Sequence, residues 1–375
     1  MHDVRYWVGF NRVYGVGPAK FRALIDHFGD LETAWQAAPP ELKAAGLDRK
    51  SIENLLNTRA KIDLDQEIDR VDKAGARTVI WDDADYPPLL KSLPDAPPVL
   101  YVKGQLNTAD REWTVAIVGT RRATAYGRQV TEMLATDLVH NGITIVSGLA
   151  RGIDGYAHEA ALRAGGRTLG VLACGIDQVY PPEHAKLAAR IVEQGALLTE
   201  APCGSPPEGG NFPARNRIIS GLSLGTIVVE AAETSGALIT SDRALEQGRE
   251  VFAVPGSIFA KSSLGTHRLL KEGATLVTSA QDVLEALNLK MVAAHSEARA
   301  VIPEDPTEAK LFVLLSNEPT HIDYLVRECG LPVAQVSSTL ALMELKGMIR
   351  QIAGMQYVVA RETGAREARV DYTVE

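Results

Sequence analysis

The sequence predicts an α/β fold, namely a Rossmann-like doubly wound parallel sheet with a small helical N-terminal domain and a C-terminal winged helix. Between residues 113 and 287, seven short apolar runs alternate with helix-compatible segments. Apolar runs without polar alternation are typical of strands covered on both faces, as in a parallel sheet. Before this region apolar residues recur at helical spacing, and after it three helical segments precede a hairpin pattern.

Composition sets the limits for these predictions. The 375 residues are too many for one ordinary domain, and 46% hydrophobic and 23% charged residues are typical of a globular protein. The net charge of −8 means that any nucleic-acid site must be a local positive patch. The three cysteines are widely spaced, so neither a disulfide framework nor a metal site is expected. Neither a signal peptide nor an apolar run of about 18 residues is visible, so we expect a cytoplasmic protein without a membrane partner.

Residues 1–75 form the predicted helical domain, with a glycine-rich turn before one of its helices. That turn reads Gly15-Val16-Gly17-Pro18 and resembles a helix-hairpin-helix element. Its backbone N–H groups could bind a DNA phosphate, or the turn could simply join two packed helices. The sequence leaves both interpretations open.

Residues 76–112 are rich in proline and are predicted to be an extended connector, because repeated prolines disfavour a helix. The predicted core follows at 113–287. Its strands are Val115–Val118, Ile143–Val146, Thr168–Ala173, Ala196–Thr199, Thr226–Val229, Val251–Val254 and Thr275–Val277. In such a fold, ligands bind outside the carboxyl ends of the strands.

The C-terminal part is predicted to contain a linker at 288–305, a winged-helix domain at 306–362 and a tail at 363–375. The third helix of the winged-helix domain is expected at Val333–Leu345, followed by the two strands of a wing. Five basic and five acidic residues between 307 and 361 cancel. Because duplex binding depends on phosphate neutralisation, we expect this domain to contact protein or to bind duplex DNA only weakly.

The first candidate binding element is the loop after the first core strand, which begins Gly119-Thr120-Arg121-Arg122. A strand-to-helix turn of this kind presents free backbone N–H groups to a phosphate, and paired guanidinium groups add bidentate contacts. The loop lacks the spacing of a dinucleotide fingerprint or a P-loop, so no nucleotide cofactor is predicted.

A second loop, Ser147–Asp154, follows the next strand, and its small residues Ser147 and Gly148 would let backbone approach a ligand closely. Asp154 fits a helix N-cap better than a general base. His158 is interpreted as structural rather than catalytic.

The third candidate is the segment Phe212-Pro213-Ala214-Arg215-Asn216-Arg217. An aromatic ring beside positive charge is what a sequence-tolerant single-strand site requires. Two structural alternatives remain open, namely that Phe212 fills the core and that Arg217 pairs with a buried carboxylate such as Glu230.

These segments, in this order, resemble the DNA-processing protein A (DprA/Smf) family. The motifs that carry the resemblance are Gly119-Thr120-Arg121, Ser147–Asp154, Gly175-x-Asp177-x-x-Tyr180-Pro181-x-x-His184, Phe212–Gly221, Ser235–Thr240 and Val251–Gly256. The resemblance implies single-stranded DNA binding, a homodimer formed through the Rossmann-like domain, and loading of RecA onto DNA during natural transformation and recombination. By position, the family's DNA contacts fall on Arg121, Phe212 and the Arg215–Arg217 run. The dimer or partner face is expected near Thr266–Val277, with His267 and Leu276 as the named choices.

One departure from the family concerns Gly209, where many members carry a lysine. The missing phosphate contact could be supplied by Arg122 or Lys261. The alternative function is a nucleoside monophosphate hydrolase, since related folds carry out that reaction. The corresponding loop here, Glu230–Gly236, lacks the required glycine run, so we expect a protein that is not an enzyme, although Glu230 and Glu233 lie where a catalytic carboxylate could act.

Overall fold

A computed structural model describes residues 3–107, 109–288, 305–315, 320–345, 349–352 and 355–359. The chain divides into two compact units, residues 1–291 and 292–375. Their hydrophobic cores are separate: two clusters of buried residues lie in the first unit and one in the second. Among the described residues, no helix is both long and apolar enough to span a bilayer.

From residue 3 onward, where the described chain begins, six α-helices occupy the N-terminal part of the first unit. They are α1 (Val4–Asn11), α2 (Pro18–Phe28), α3 (Leu31–Gln36), α4 (Pro39–Ala44), α5 (Arg49–Arg59) and α6 (Leu64–Lys73). Aspartate side chains cap several of them; Asp48, for example, accepts the backbone N–H of Ser51 at 2.9 Å. The Phe10 ring packs edge-on against Trp35 at a centroid distance of 5.1 Å. These helices share one core cluster with the sheet that follows, so the predicted N-terminal domain is packed continuously onto the core.

The first unit contains a nine-stranded sheet. Its strands are β1 (Arg77–Ile80), β2 (Val99–Gly104), β3 (Thr114–Val118), β4 (Thr144–Ser147), β5 (Thr168–Val171), β6 (Ala196–Thr199), β7 (Gly225–Val228), β8 (Glu250–Ala253) and β9 (Thr275–Leu276). Their order is β1-β2-β6-β5-β4-β3-β7-β8-β9. The seven strands β3 to β9 pair in parallel and match the seven predicted runs. The predicted Rossmann-like core is confirmed.

The structure corrects the prediction of an extended connector over 76–112. Strand β1 pairs with β2, and β2 pairs with β6, in both cases antiparallel, so this segment completes one edge of the sheet. The prolines lie outside these strands, with Pro97 and Pro98 just before β2, where they remove no sheet hydrogen bond. Strand β6 supplies the pairing partner, and it lies about a hundred residues further along the chain, so local composition did not reveal it.

Nine further α-helices lie in the described part of the first unit: α7 (Pro88–Lys91), α8 (Ala109–Glu112), α9 (Ala125–His140), α10 (Ile153–Arg163), α11 (Ala185–Gln194), α12 (Asn211–Gly221), α13 (Gly236–Glu246), α14 (Leu264–Lys271) and α15 (Ala280–Ala286). From β3 the chain builds outward through β4, β5 and β6, and then returns to place β7 on the other side of β3. The order of strands therefore reverses at β3, and a crevice is expected at the carboxyl ends of the strands there.

The second unit contains α16 (Pro306–Leu314), α17 (Ile322–Cys329) and α18 (Val333–Leu345), together with strands β10 (Thr320–His321), β11 (Ile349–Ile352) and β12 (Gln356–Val359). The strands form an antiparallel sheet in the order β10-β12-β11. Buried Leu311, Leu325 and Leu340 connect the three helices in one core. The third helix and the two wing strands lie where the sequence predicts them. Most of the predicted linker and the whole predicted tail lie outside the described residues.

Candidate nucleic-acid site

A cleft of about 630 Å³ opens at the carboxyl ends of the central strands, beside β3, where the order of strands reverses. Its walls come from the loop after β3, the loop after β4, the start of α12 and the start of α13. The lining residues include Gly119, Thr120, Arg121, Arg122, Tyr180, Gly209, Phe212, Arg215, Asn216 and Gly236. Elements far apart in sequence therefore meet in one open, partly polar cleft.

Arg121 and Phe212 face each other in this cleft. The guanidinium carbon of Arg121 lies 5.2 Å from the centre of the Phe212 ring, which is a cation–π distance. Arg121 is exposed and Phe212 is partly exposed. The alternative in which Phe212 fills the core does not hold. A flat apolar ring and an exposed cation are thus available at one open surface.

The β3 loop is held by its backbone, so its two arginine side chains remain free. The Thr120 N–H donates to the Glu230 carbonyl oxygen at 2.7 Å, and the Thr120 hydroxyl accepts the Arg122 N–H at 3.2 Å. Arg121 and Arg122 form no ion pair with any residue that the structure describes. Unpaired surface guanidinium groups can neutralise phosphates without first breaking an internal ion pair.

Hydrogen bonds hold the end of β4 and the loop after it, and two predictions for this segment need correction. Ser147, which was predicted to let backbone approach a ligand, is the last residue of β4 and is fully buried, with its hydroxyl donating to the Ile117 carbonyl oxygen at 2.6 Å, so it is not available to a ligand. Asp154 is not the N-cap of α10, because Gly152 occupies that position. Instead the Asp154 carboxylate accepts the N–H groups of Gly148 and Ala150 at 3.1 and 3.4 Å. It therefore orients the loop from beneath.

Two features of this loop depend on glycine. Gly152 has φ +75° and lies against the backbone of Thr120 and Arg121, where a Cβ would collide. A Cβ at Gly148 would collide with the guanidinium group of Arg215. The β4 loop can therefore lie close to both the β3 loop and the α12 arginine only because these positions carry no side chain.

Arg215 lines the cleft but is almost wholly buried. It is 5% exposed, and one guanidinium nitrogen donates to the Val171 carbonyl oxygen at 2.8 Å. Burial lowers the pKa of Arg215 to about 10, and burial raises the pKa of the Asp154 carboxyl, although Arg215 opposes that shift. The guanidinium carbon of Arg215 is 6.0 Å from the Phe212 ring centre, so this arginine supports the ring.

Arg217 does not line the cleft. Its side chain is 14% exposed, and it forms ion pairs with Glu200 and, at 3.8 Å, with Asp95. A structural role as an anchor for α12 therefore replaces the predicted DNA contact, and the partner is Glu200 rather than Glu230. Asn216 lines the cleft but is largely buried, and its amide donates to the Gly236 carbonyl oxygen at 3.3 Å. It positions the start of α13.

The comparisons with known proteins agree with this architecture. Residues 77–288 match the family described as DNA recombination-mediator protein A, and residues 295–355 match the DprA winged helix domain. The first match alone covers more than half of the chain. The chain belongs to the DprA/Smf family.

Several DprA/Smf proteins are similar over most of their length. Protein Smf of Synechocystis is 36% identical, with 94% of this chain and 98% of the relative covered. Protein Smf of Escherichia coli is 42% identical over 76% of this chain and 78% of the relative. Among solved structures, DprA of Streptococcus pneumoniae has a TM-score of 0.67 at 35% identity, with 76% of this chain and 98% of that chain covered. DprA of Helicobacter pylori, described for its unique single-stranded DNA binding mode, has a TM-score of 0.52 at 32% identity, with 57% and 97% covered.

Gly209, where many DprA/Smf members carry a lysine, lies on the wall of the cleft. No atom lies within 4 Å of a Cβ built at this position, so a longer side chain would fit there without displacing protein. Arg122 and Lys261 were the two residues proposed to replace the phosphate contact of the family's lysine at this position. Arg122 lines the cleft and Lys261 does not. Lys261 instead lies in the loop after β8, beside a second cavity.

The residues that the DprA/Smf resemblance assigns to a partner face lie near the end of the sheet. Leu276 belongs to the edge strand β9 and is 52% exposed. His267 lies on α14, and its Nε2 atom is 3.1 Å from the Gly256 carbonyl oxygen. An edge strand with an exposed leucine is suited to contact with another chain.

Sequence reasoning missed Tyr180 as a member of the site. Its ring lies 5.8 Å from Phe212 in an edge-on arrangement, and it lines the cleft. The available signal was an aromatic residue in the loop after β5, directly before Pro181 and Pro182. The Tyr180 and Phe212 rings therefore form an edge-on aromatic pair, and Arg121 lies over the Phe212 ring.

The interior histidine of the DprA/Smf core has no access to a ligand. His158 is fully buried, and its Nδ1 atom lies 2.6 Å from the Thr168 hydroxyl, which itself donates to the Ile145 carbonyl oxygen. Nδ1 must therefore carry the proton, and burial lowers the pKa of His158 to about 3. The neutral ring is structural, as the sequence predicts.

Proposed function

We propose that this chain binds single-stranded DNA in the cleft, protects it, and loads RecA onto it during natural transformation and recombination. The observation that carries the proposal is the position of the exposed Arg121 guanidinium over the Phe212 ring in an open cleft. Every nucleobase has a flat π-face, so an aromatic ring with adjacent positive charge binds unpaired strands without sequence preference. The description of the H. pylori relative supports the same ligand.

The residues divide into contacting and supporting groups. Arg121 and Arg122 contact phosphates, and Phe212 stacks on a base with Tyr180 beside it. The Gly119, Thr120 and Gly148 backbone brings the strand close to the sheet edge. Arg215, Asn216 and Arg217 maintain the walls of the cleft, since their side chains are engaged within the protein.

A preference for single strands follows from where the ring is placed. Phe212 is only partly exposed and lies on the wall of a cleft. A base in a duplex is already stacked on both faces and would have to leave its helix to reach this ring. We therefore expect fluorescence anisotropy to show clear binding to oligo(dT) and much weaker binding to a duplex of equal length. Equal affinity for the two would contradict the proposal.

The charges of the site imply modest intrinsic affinity. Two free arginines lie on a chain of net charge −8, so the electrostatic contribution is small. A homodimer that engages one strand twice would bind more tightly through effective concentration. We propose that the dimer or RecA face includes His267 and Leu276. Light scattering on Leu276→Arg should show a halved mass if this face joins two copies.

RecA loading is tested separately from DNA binding. The rate of RecA filament assembly on single-stranded DNA should rise when the wild-type protein is added. A variant that binds oligo(dT) normally yet fails to accelerate assembly would locate the RecA contact. No acceleration by the wild type would remove this part of the proposal.

The proposal contains no catalytic step. The buried Glu230 carboxylate accepts hydrogen bonds from the Thr124 N–H, the Thr124 hydroxyl and the Ser262 hydroxyl at 2.9, 2.6 and 3.3 Å. It therefore connects loops within the protein. Incubation with nucleoside monophosphates tests this directly, and base release that Glu230→Gln abolishes would contradict a purely binding role.

The winged-helix unit is proposed to contact protein rather than to supply the affinity for single strands. Deletion of residues 307–375 should leave oligo(dT) binding within about twofold of the full chain, because the cleft residues all belong to the first unit. A collapse of affinity in the truncated chain would assign DNA binding to the second unit.

A further inference from the structure

We propose a second base-stacking platform at Phe259, where the bound strand continues along the carboxyl edge of the sheet beyond the Phe212 cleft. This inference rests on the proposed single-strand binding and extends it. The strand would pass from the β3 loop to the loop after β8, with Lys261 and Arg122 beside its phosphates.

The loop after β8 carries two apolar side chains that the rest of the chain does not cover. Phe259 is 90% exposed and Ile258 is 75% exposed, whereas most large apolar side chains of this unit are buried. The Phe259 N–H lies 3.3 Å from the Ser257 hydroxyl oxygen, which shapes the turn that presents the ring. An exposed ring at the edge of a ligand-binding surface is suited to stacking on a flat partner.

This loop is linked by hydrogen bonds to the loop that carries Arg121 and Arg122. The Tyr126 hydroxyl, at the start of α9, donates to the Pro255 carbonyl oxygen at 2.7 Å. The Glu230 carboxylate joins Thr124 to Ser262. The two surfaces are therefore neighbours held in fixed relation, on either side of the N-terminus of α9.

A cavity of about 450 Å³ lies between them. Its lining includes the hydroxyl-bearing residues Thr124, Ser257, Ser262 and Ser263, along with Tyr126 and Pro255. The Thr124 and Ser262 hydroxyls donate to Glu230 and remain acceptors, while the Ser257 and Ser263 hydroxyls can donate or accept. Such a lining suits a strand of arbitrary sequence. Glu230 lies on its floor and already accepts three hydrogen bonds, so phosphates are expected at the rim and bases inside.

The charges at the rim fit a polyanion. Lys261 lies between the lining residues Ala260 and Ser262, and Arg122 precedes the lining residue Thr124 by two positions. Both are exposed and make no ion pair with the residues that the structure describes. The carboxylate that lines the cavity is that of buried Glu230, which is already occupied by hydrogen bonds from Thr124 and Ser262. A strand that crosses the rim would keep its phosphates on the Arg122 and Lys261 side.

The distances along the sheet edge agree with this path. Strands β4, β3, β7 and β8 are consecutive neighbours, and adjacent strands are about 4.8 Å apart, so their ends span about 14 Å. That span corresponds to only a few nucleotides, so a short strand fills the Phe212 cleft alone and a longer strand reaches Phe259.

The test compares Phe259→Ala, Phe259→Leu and Phe259→Trp on oligo(dT) of about four and about 15 nucleotides. Phe259→Ala should weaken binding of the longer strand about tenfold and leave the shorter strand unchanged. Phe259→Trp should restore affinity, and Phe259→Leu should not, because stacking requires an aromatic face. Ile258→Ala, one residue away and also exposed, is the matched control and should bind like the wild type.

Three results would overturn the platform. They are unchanged affinity of Phe259→Ala for the longer strand, wild-type affinity of Phe259→Leu, and equal losses on both strand lengths. A fall in molecular mass that accompanies the loss of affinity would instead assign Phe259 to a contact between two copies of the chain. If the wild type binds neither strand, the proposed function itself fails; if the wild type binds and Phe259→Ala is normal, only this inference fails.

Discussion

Arg121 and Arg217 belong to the same set of predicted DNA contacts, yet the protein uses them in opposite ways. Arg121 is exposed, unpaired among the described residues and placed over an aromatic ring. Arg217 is largely buried and tied to Glu200 and Asp95. Under the proposed function, the rim of the sheet serves binding and the layer beneath it serves stability. Changes at the rim should therefore alter affinity, and changes beneath it should alter folding.

The largest effect on stability is expected from Arg217→Ala. It leaves Glu200 without its ion-pair partner, and we expect a loss of about 2 kcal/mol in the free energy of unfolding. Urea denaturation measures this. Arg121→Ala is the matched control and should stay within about 0.5 kcal/mol of wild type. Comparable losses in the two variants would abolish the distinction between rim and interior.

Phe212→Ala tests the rim residues, which should affect binding and not stability. Loss of one stacking face should weaken oligo(dT) binding by about 2 kcal/mol, or about thirtyfold, with little change in unfolding. Anisotropy titrations measure the first quantity and urea denaturation the second. Phe212→Trp should retain most of the affinity. If Phe212→Ala unfolds more easily but binds oligo(dT) normally, the ring belongs to the core and not to the binding surface.

Buried His158 is expected to make the free energy of unfolding depend on pH, by an amount of similar size. The pKa of His158 falls to about 3 in the folded chain from an unfolded value of 6.5, so the unfolded chain binds more protons between these values. The stability contributed by the neutral ring is therefore complete above pH 6.5 and is lost as pH falls towards 3. At pH 5 the loss is about 2 kcal/mol.

The raised pKa of Asp154 acts in the opposite sense, because the folded chain then binds more protons than the unfolded chain. It is common to wild type and His158→Leu and largely cancels in their difference. Urea denaturation at pH 7 and pH 5 should show a smaller loss for His158→Leu. Parallel losses in the two proteins would mean that His158 titrates normally.

The smallest expected effect is a gain. Gly209→Lys adds a cation on the open wall of the cleft and should tighten oligo(dT) binding a few-fold, with the salt slope steeper by about 0.7. Gly209→Gln, similar in length and uncharged, is the control. If both variants bind alike, position 209 does not face the phosphates.

Most of the fold could be predicted because its signals are local. The seven parallel strands are continuous apolar runs, and each is recognisable without knowledge of its neighbours. Strands β1 and β2 were missed because β1 pairs with β2, and β2 joins the sheet through antiparallel pairing with β6, which is distant in sequence. The prolines of this segment lie outside β1 and β2, so they gave no information about the strands themselves.

The candidate site was predictable only in part, for a related reason. Arg121 and Phe212 stand in polar, glycine-bearing loops, which is a local signal. Whether an arginine is free or paired depends on distant residues, as with Arg217 and Asp95, which are 122 positions apart. Likewise, the Asp154 carboxylate binds the loop before its helix rather than capping the helix, and Tyr180 reaches the site from a loop that carried no charge pattern.

The most direct test of the central claim is the salt dependence of oligo(dT) binding for wild type, Arg121→Ala and Phe212→Ala. Log affinity should fall linearly with log salt concentration, and each phosphate contact on a single strand contributes about 0.7 to the slope. Arg121→Ala should flatten the slope by about that amount, while Phe212→Ala should weaken binding with the slope unchanged. Identical slopes for all three proteins would contradict the account, because Arg121 would then neutralise no phosphate.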